Sequence, residues 1–486
     1  MSERFDVAVV GGGVGGIVSA IRLAAAGRSV VLFERNDELG GKLAVRQRDG
    51  YTFDTGPSLL TMPQLFDDVF RVAGSSLAAE VDLVRLDPSF RYFWPDASTV
   101  TFRDEPVATA EALEAAFPGS GSEYLEYLQR ARTIWQVSER TFFAGHMASP
   151  LSLAARLHSP RDFSRIDAMR TLSTRSRRAF GDARMRQWLG RYATYSGSDP
   201  SRAPATLGCI AAVESDFGCW YVRGGLGSLR DALARTALRL GVAVRTGCEV
   251  RGITATRRRV TGVQTADTHV AAPVVIANAD AEHVYGDLLP NSRRLARVRR
   301  TERSTSGIAL LVGVEGRTPL IAHHNVWFSR DYAHEFADIR SGKVPSDPTI
   351  YACVSSVTDE TQAPRHCENW FILINTPADE RIASRDLGPW LLERLSCVGP
   401  ELRDRAKFVE VIGPRDIAQR YRSPGGAIYG TSSNGHRAAF RRPSTIGTRR
   451  GLYLVGGSSH PGGGLPLVTM SARIVTDLVL RHTPQR

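Results

Sequence analysis

The sequence predicts an α/β fold: a discontinuous domain built around a parallel sheet, a second domain with a mixed sheet, and a helical cap. Three observations carry this. The first 34 residues run through an apolar stretch, a glycine-rich turn, a helical repeat and a second apolar stretch. Glycine-rich turns followed by helical repeats recur after Tyr221 and after Val455, so the chain returns twice to the same kind of junction. Between these points lie an arginine-rich helical stretch and a group of strand-like runs separated by polar loops.

The first unit is the most explicit. Four apolar residues, Val7 to Val10, suit a strand buried on both faces of a parallel sheet. Gly11, Gly13 and Gly16 then fill a G-x-G-x-x-G frame, and Ile17, Ala20, Ile21 and Ala24 recur at helical spacing until Gly27. A second run, Val30 to Phe33, ends on Glu34, 23 residues after Gly11. Each part has a task in holding a dinucleotide. Gly11 permits the tight turn, Gly13 admits a pyrophosphate close to the backbone, and Gly16 lets helix and strand pack closely. The helix N-terminus attracts phosphate charge. Glu34 accepts hydrogen bonds from ribose hydroxyls and repels a 2′-phosphate. In this order the parts define a Rossmann-like unit.

Downstream, Phe66, Val69, Phe70 and Ala73 share a helical face that Gly74 ends. Residues 81–86 and 90–94 read as strands, and Pro95-Asp96 turns the chain into a hairpin partner at 98–103. Residues 108–197 are mostly helical, either an ordinary subdomain or a cap over a substrate tunnel. After Gly224, Gly225 and Gly227 comes a helix with Leu229, Leu233, Ala237 and Leu240 on one face. Strands follow at 242–245, 249–255, 260–265 and 274–277, the last leading into Asn278-Ala279-Asp280. Residues 300–430 hold strand-like runs at 308–314, 349–354 and 370–375, and a helix at 387–396. A short strand at 452–455 enters the loop 456–464, and a helix runs on to about Leu480 with Pro466 in its first turn. That junction again suits close approach to a cofactor.

Composition narrows the class. With 42% hydrophobic and 23% charged residues the chain is an ordinary globular protein. No apolar run approaches the 18 or more residues of a membrane span. The strand at the N-terminus leaves no room for a leader, which points to the cytoplasm. Six cysteines are scattered without a C-x-x-C and read as buried thiols. The one adjacent histidine pair, His323-His324, has no partner at ligand spacing, so no metal site is expected. The net charge of +12 concentrates at 161–191, where nine arginines face Asp162, Asp167 and Asp182. No nucleic-acid motif accompanies them, and none is expected as partner. An anionic membrane surface and a solvated helical face are the readings that remain.

The segments after Glu34 carry a family resemblance. Glu34, then Gly40-Gly41-Lys42, then Phe53-Asp54-Thr55-Gly56-Pro57 form an E-x5-G-G-[RK] and F-D-x-G-P pattern similar to the flavin amine oxidase and phytoene desaturase superfamily. The C-terminal stretch Tyr453 to Pro466, with His460-Pro461-Gly462, resembles the bacterial phytoene desaturase family of carotenoid desaturases. Its Gly-Gly-Ser-Ser-His-Pro-Gly-Gly-Gly-Leu-Pro-Leu, with Tyr429 to Asn434, is closer to the 1-hydroxycarotenoid 3,4-desaturase and carotenoid oxidase branch. Lys42 stands where many members have arginine, which keeps the charge without the planar fork.

The resemblance implies FAD, held by Gly11, Gly13, Gly15, Gly16, Glu34, Arg35, Gly41, Lys42, Gly56, Pro57, Val250 and Asn278. It places Gly457 near the phosphates or ribityl chain and Leu467-Val468 near the isoalloxazine. It further implies desaturation of an acyclic carotenoid, with oxygen or a quinone as electron acceptor and peripheral attachment to a membrane. An oxygenase of the same fold, an amine oxidase and a non-catalytic isoprenoid binder are the rivals. His460 is either a general base or a loop-fixing residue. The expected division is an FAD domain at 1–90, 226–295 and 441–486. The remainder, 91–225 with the cap at about 108–197 and 296–440, forms the substrate domain.

Overall fold

The computed structural model describes residues 3–147 and 149–483. Five strands form a parallel sheet in the spatial order Ala243–Arg245, Val30–Phe33, Val7–Val10, Val274–Ala277 and Leu452–Leu454. The strand Val7–Val10 pairs with Val30–Phe33 on one side and Val274–Ala277 on the other, and all three are wholly buried. Unbroken apolar runs are what such strands require. Alternation still sorts their side chains. Val7, Val9, Val30, Leu32 and Ile276 pack against the helices Val14–Ala25, Leu226–Arg239 and Leu465–His482. Ala8, Val10, Val31, Phe33 and Ala277 pack against Ile253, Val263 and Val270 of a four-stranded sheet. Helices, parallel sheet and small sheet therefore make three layers.

A second sheet has seven strands in the order Ala406–Ile412, Ser306–Glu315, Cys367–Thr376, Ile350–Cys353, His324–Trp327, Phe90–Phe93 and Thr99–Phe102. Neighbours are antiparallel except His324–Trp327 and Phe90–Phe93, so the sheet is mixed, as the sequence predicts. Ile308, Leu310, Val312, Ile372 and Ile374 bury one face against Leu391, Leu392 and Leu395 of the helix Leu387–Val398. A helical layer covers the far end. There Leu113, Tyr124, Leu128, Leu172 and Trp188 pack over Phe90, Tyr92, Trp94 and Phe102.

Two strands of this sheet, His324–Trp327 and Ala406–Ile412, were not anticipated. The first begins with two polar residues and reads as a loop. Asn325 is nonetheless fully buried, because its amide oxygen accepts from the Ala322 N–H and its amide nitrogen donates to the Ala322 carbonyl. A satisfied polar group loses little by burial. Among the described residues no helix is long and apolar enough to cross a membrane.

Candidate active site

One cavity of about 1080 Å³ runs from the C-terminal ends of the parallel strands to the open face of the seven-stranded sheet. At its first end the turn after Val10 is shaped by Gly11, which takes φ 97°, a left-handed conformation that favours glycine. A Cβ at Gly16 would strike the Gly11 carbonyl oxygen, and one at Gly13 would lie 2.8 Å from Asn278 Nδ2. The helix Val14–Ala25 begins at Gly13 without a side-chain cap, and Val14 and Gly15 face the cavity. The helix Leu465–His482 likewise starts at the wall, with Gly464, Leu465, Pro466 and Val468 lining it. Two helix N-termini thus supply partial positive charge to one space.

Glu34 closes the strand Val30–Phe33 with its carboxylate buried at 5% exposure. Oε2 accepts from the Gly12 N–H at 2.8 Å, and Oε1 accepts from the Asn36 N–H and side-chain amide at 2.9 and 2.7 Å. Oε1 is fully engaged by Asn36, and Oε2, with one hydrogen bond, keeps a lone pair for a ribose hydroxyl. Asn278 ties the loops together, donating from Nδ2 to the Gly11 carbonyl at 3.2 Å. This is the donor set and close-approach backbone that a dinucleotide requires, so the residues present fit the group.

Lys42 also lines the cavity, but two of its ammonium hydrogens go to the carbonyls of Ala427 and Ile428 at 3.0 and 2.6 Å. Burial lowers its pKa to about 8. Arg35 lines the cavity while donating to the Gln419 carbonyl. Gly41, Gly56, Pro57, Val250 and Gly457 complete the wall at this end. Asp54, part of the same F-D-x-G-P segment, points elsewhere. Its carboxylate accepts from the Leu226 and Gly227 amides and so caps the helix Leu226–Arg239.

At the second end the wall is apolar and aromatic: Phe90, Ala309, Val326, Tyr351, Phe371 and Leu373. Register explains why they face one way. Ala309 pairs with Leu373, Leu373 with Tyr351, and Tyr351 with Val326, so alternate positions on neighbouring strands form one patch. Tyr351 Oη lies 2.6 Å from Ser58 Oγ and 2.8 Å from His324 Nδ1. The helical layer contributes Arg191, Thr194 and Tyr195. Arg191 donates from Nη2 to Tyr92 Oη at 2.7 Å, and its guanidinium lies over Phe90 at 4.7 Å. These residues were missed by sequence reasoning. Their signal, apolar residues at every second position, becomes readable only once the strands are paired.

Two expected site residues lie off the cavity wall, and the histidine pair gains a neighbour. His460 does not line the cavity: its ring packs edge-on against Phe142, and burial lowers its pKa to about 4. Its backbone carbonyl accepts from Ser471 Oγ and its N–H donates to the Pro443 carbonyl, bonds in which the imidazole takes no part. Leu467 turns away from the cavity into the cluster of Met62, Ile134, Trp135 and Met470. His323 and His324 acquire a third neighbour, Cys353, from the adjacent strand, with one ligand-type atom from each within 4.8 Å of the others. Of the cysteines, Cys209, Cys219 and Cys353 are buried, whereas Cys397 is exposed.

Part of the arginine-dense stretch is paired inside the fold. The buried Asp162 pairs with Arg140 and Arg165, and the buried Asp167 pairs with Arg130, Arg170 and Arg175. Arg184 pairs with Asp182 and Asp96. Among the described residues Arg161, Arg177 and Arg178 are exposed and carry no ion pair.

A layered fold with a dinucleotide cradle opening onto an aromatic lobe is the architecture of a dinucleotide-dependent oxidoreductase. Sequence comparison agrees: the profile of the family described as flavin containing amine oxidoreductase matches residues 14–324, and the chain belongs to that family. It is 33% identical to a 4,4'-diapolycopene oxygenase of Methylomonas sp, over 99% of both chains. It is 34% identical to a 4,4'-diaponeurosporene oxygenase of Staphylococcus aureus, over 97% of both. Among solved structures, an oxidoreductase from Methanosarcina mazei superposes with a TM-score of 0.64 at 17% identity, covering 98% of this chain and 99% of that one.

Proposed function

We propose that the protein is an FAD-dependent oxidoreductase acting on an acyclic carotenoid. The observation that carries this reading is the continuity of the nucleotide cradle with an apolar lobe in a single cavity of about 1080 Å³. Small-molecule sites span roughly 300–1,000 Å³, so the space suits a cofactor together with part of a second ligand. FAD bound there supplies a two-electron acceptor, and oxygen or a quinone takes the electrons onward. Glu34 holds the ribose hydroxyls, and the two helix N-termini face the phosphates. Phe90, Val326, Phe371 and Leu373 bind a polyene through buried area, about 25 cal/mol per Å², and exclude water from the reacting carbon. The hydroxyls of Ser58 and Tyr351 offer a polar contact beside it.

The relatives' names favour oxygenation of the carotenoid over desaturation. Anaerobic incubation of the flavin-loaded protein with vesicles carrying 4,4'-diaponeurosporene or a longer acyclic carotenoid tests the reading. The expected result is loss of visible flavin absorbance with the polyene and none with aliphatic amines. In air, a product heavier by oxygen identifies an oxygenase, and one lighter by two hydrogens a desaturase. Flavin reduction by an amine alone would overturn the carotenoid reading.

A membrane-bound substrate goes with peripheral attachment at the cytoplasmic face. Leu151, Phe163 and Met169 support this, being 80%, 49% and 65% exposed in the same stretch as Arg161, Arg177 and Arg178.

A further inference from the structure

We propose that His323, His324 and Cys353 form a binding site for a thiophilic d10 cation, Zn(II) or Cu(I), in the wall behind the aromatic lobe. The three residues converge because His324 and Cys353 are direct partners across antiparallel strands, while His323 precedes the same strand. One nitrogen or sulfur atom from each lies within 4.8 Å of the others. Tetrahedral zinc sites place such atoms about 2.0–2.3 Å from the metal, so a modest contraction brings all three into coordination.

The hydrogen bonding around the group matches that of a ligand set. His323 Nδ1 is 2.8 Å from Thr358 Oγ1, and His324 Nδ1 is 2.8 Å from Tyr351 Oη. Both histidines are buried, and Nε2 of each has no hydrogen-bond partner among the described residues. An orphaned buried nitrogen is costly to leave unmade. A metal removes that cost at both rings at once. Fixing the second ring nitrogen by a hydroxyl is also how metal-bound imidazoles are oriented.

The coordination sphere has room to be completed. A small void of about 10 Å³ lies against His323 and Cys353, bounded also by Asp54, Ser58 and Asn369. A volume of roughly 10–15 Å³ holds one water, so the void is on the scale of a single small ligand beside His323 and Cys353, with His324 outside it. Two imidazoles and a thiolate suit soft or borderline cations and disfavour magnesium and calcium. Binding displaces the Cys353 thiol proton to solvent, with no change of oxidation state. The metal would fix His324, and through Nδ1 the Tyr351 hydroxyl that faces the cavity.

The test loads purified, flavin-containing protein with Zn(II), and separately with Cu(I) under a reductant, followed by desalting. The readouts are metal content and X-ray absorption at the metal edge. The expected result is one equivalent of metal per chain with one sulfur and two imidazole scatterers, falling at least tenfold in Cys353→Ser while flavin absorbance is retained. His323→Gln serves as the second variant and should lose metal in the same way. Failure of the wild type to retain either metal overturns the proposal, as does a site with nitrogen and oxygen ligands alone. Because neither readout involves turnover, the outcome is independent of the carotenoid reading.

Discussion

Asp54 shows how one buried carboxylate joins two distant parts of the chain. It lies in the segment that follows the nucleotide cradle, yet its two oxygens accept from Leu226 and Gly227, more than 170 residues later. Burial pushes its pKa up from 3.8 to about 6, against the pull of those two amides. The folded state therefore holds this proton more tightly than the unfolded chain. Between pH of about 4 and 6 the folded chain binds more protons, so the Asp54 contribution to stability falls as pH rises through that window. Asp54→Asn keeps an acceptor for the cap and cannot ionise. Urea denaturation at several pH values should show the variant gaining stability relative to wild type from pH 4 to 6. Asp54→Ala should lose the cap at every pH, a cost of about 1 kcal/mol. A parallel profile for Asp54→Asn and wild type would remove Asp54 as the titrating group.

At the scale of elements, the cradle depends on how closely the helix Val14–Ala25 lies on the strand before it. Gly16 has no space for a methyl group, since a Cβ there would overlap the Gly11 carbonyl. Gly16→Ala should cost about 1–3 kcal/mol through forced displacement and yield protein depleted in flavin, measured as the ratio of visible to ultraviolet absorbance. Full flavin occupancy with unchanged melting would contradict the packing argument. This unit was readable from sequence because every signal in it is local: strand, turn, helix, strand and acid fall within Val7 to Glu34. The aromatic lobe was not. Val326 reaches it on a strand that pairs in parallel with Phe90–Phe93, more than 230 residues earlier. Nothing in the run His324-Asn325-Val326-Trp327 announces that partner. Arg191 was counted with a charged surface, yet it is 6% exposed among Phe90, Tyr92, Tyr192 and Tyr195. Phe90 and Tyr92 lie about a hundred residues earlier in the chain, so composition alone could not separate it from Arg177 or Arg178.

At the scale of the whole molecule, the proposed polyene substrate would have to pass from a membrane into an interior cavity. The net charge of +12 suggests attraction to an anionic surface, but Arg165, Arg170, Arg175 and Arg184 are held in ion pairs with Asp162, Asp167 and Asp182. The exposed arginines without an ion pair among the described residues are Arg161, Arg177 and Arg178, worth roughly 1 kcal/mol each near an anionic leaflet. Leu151, Phe163 and Met169 add apolar contact, at about 1.5–3 kcal/mol for each side chain fully buried. At these values the apolar contribution is the larger, but the arginine contribution is big enough that both should register in binding. Sedimentation with anionic vesicles should therefore weaken at high salt without vanishing. Replacing Leu151, Phe163 and Met169 together by serine should leave a weak binding that salt abolishes. Reversing the arginines to glutamate should instead leave a binding that salt does not change. Equal binding to neutral and anionic vesicles, unaffected by either set of substitutions, would move the docking surface away from this stretch altogether.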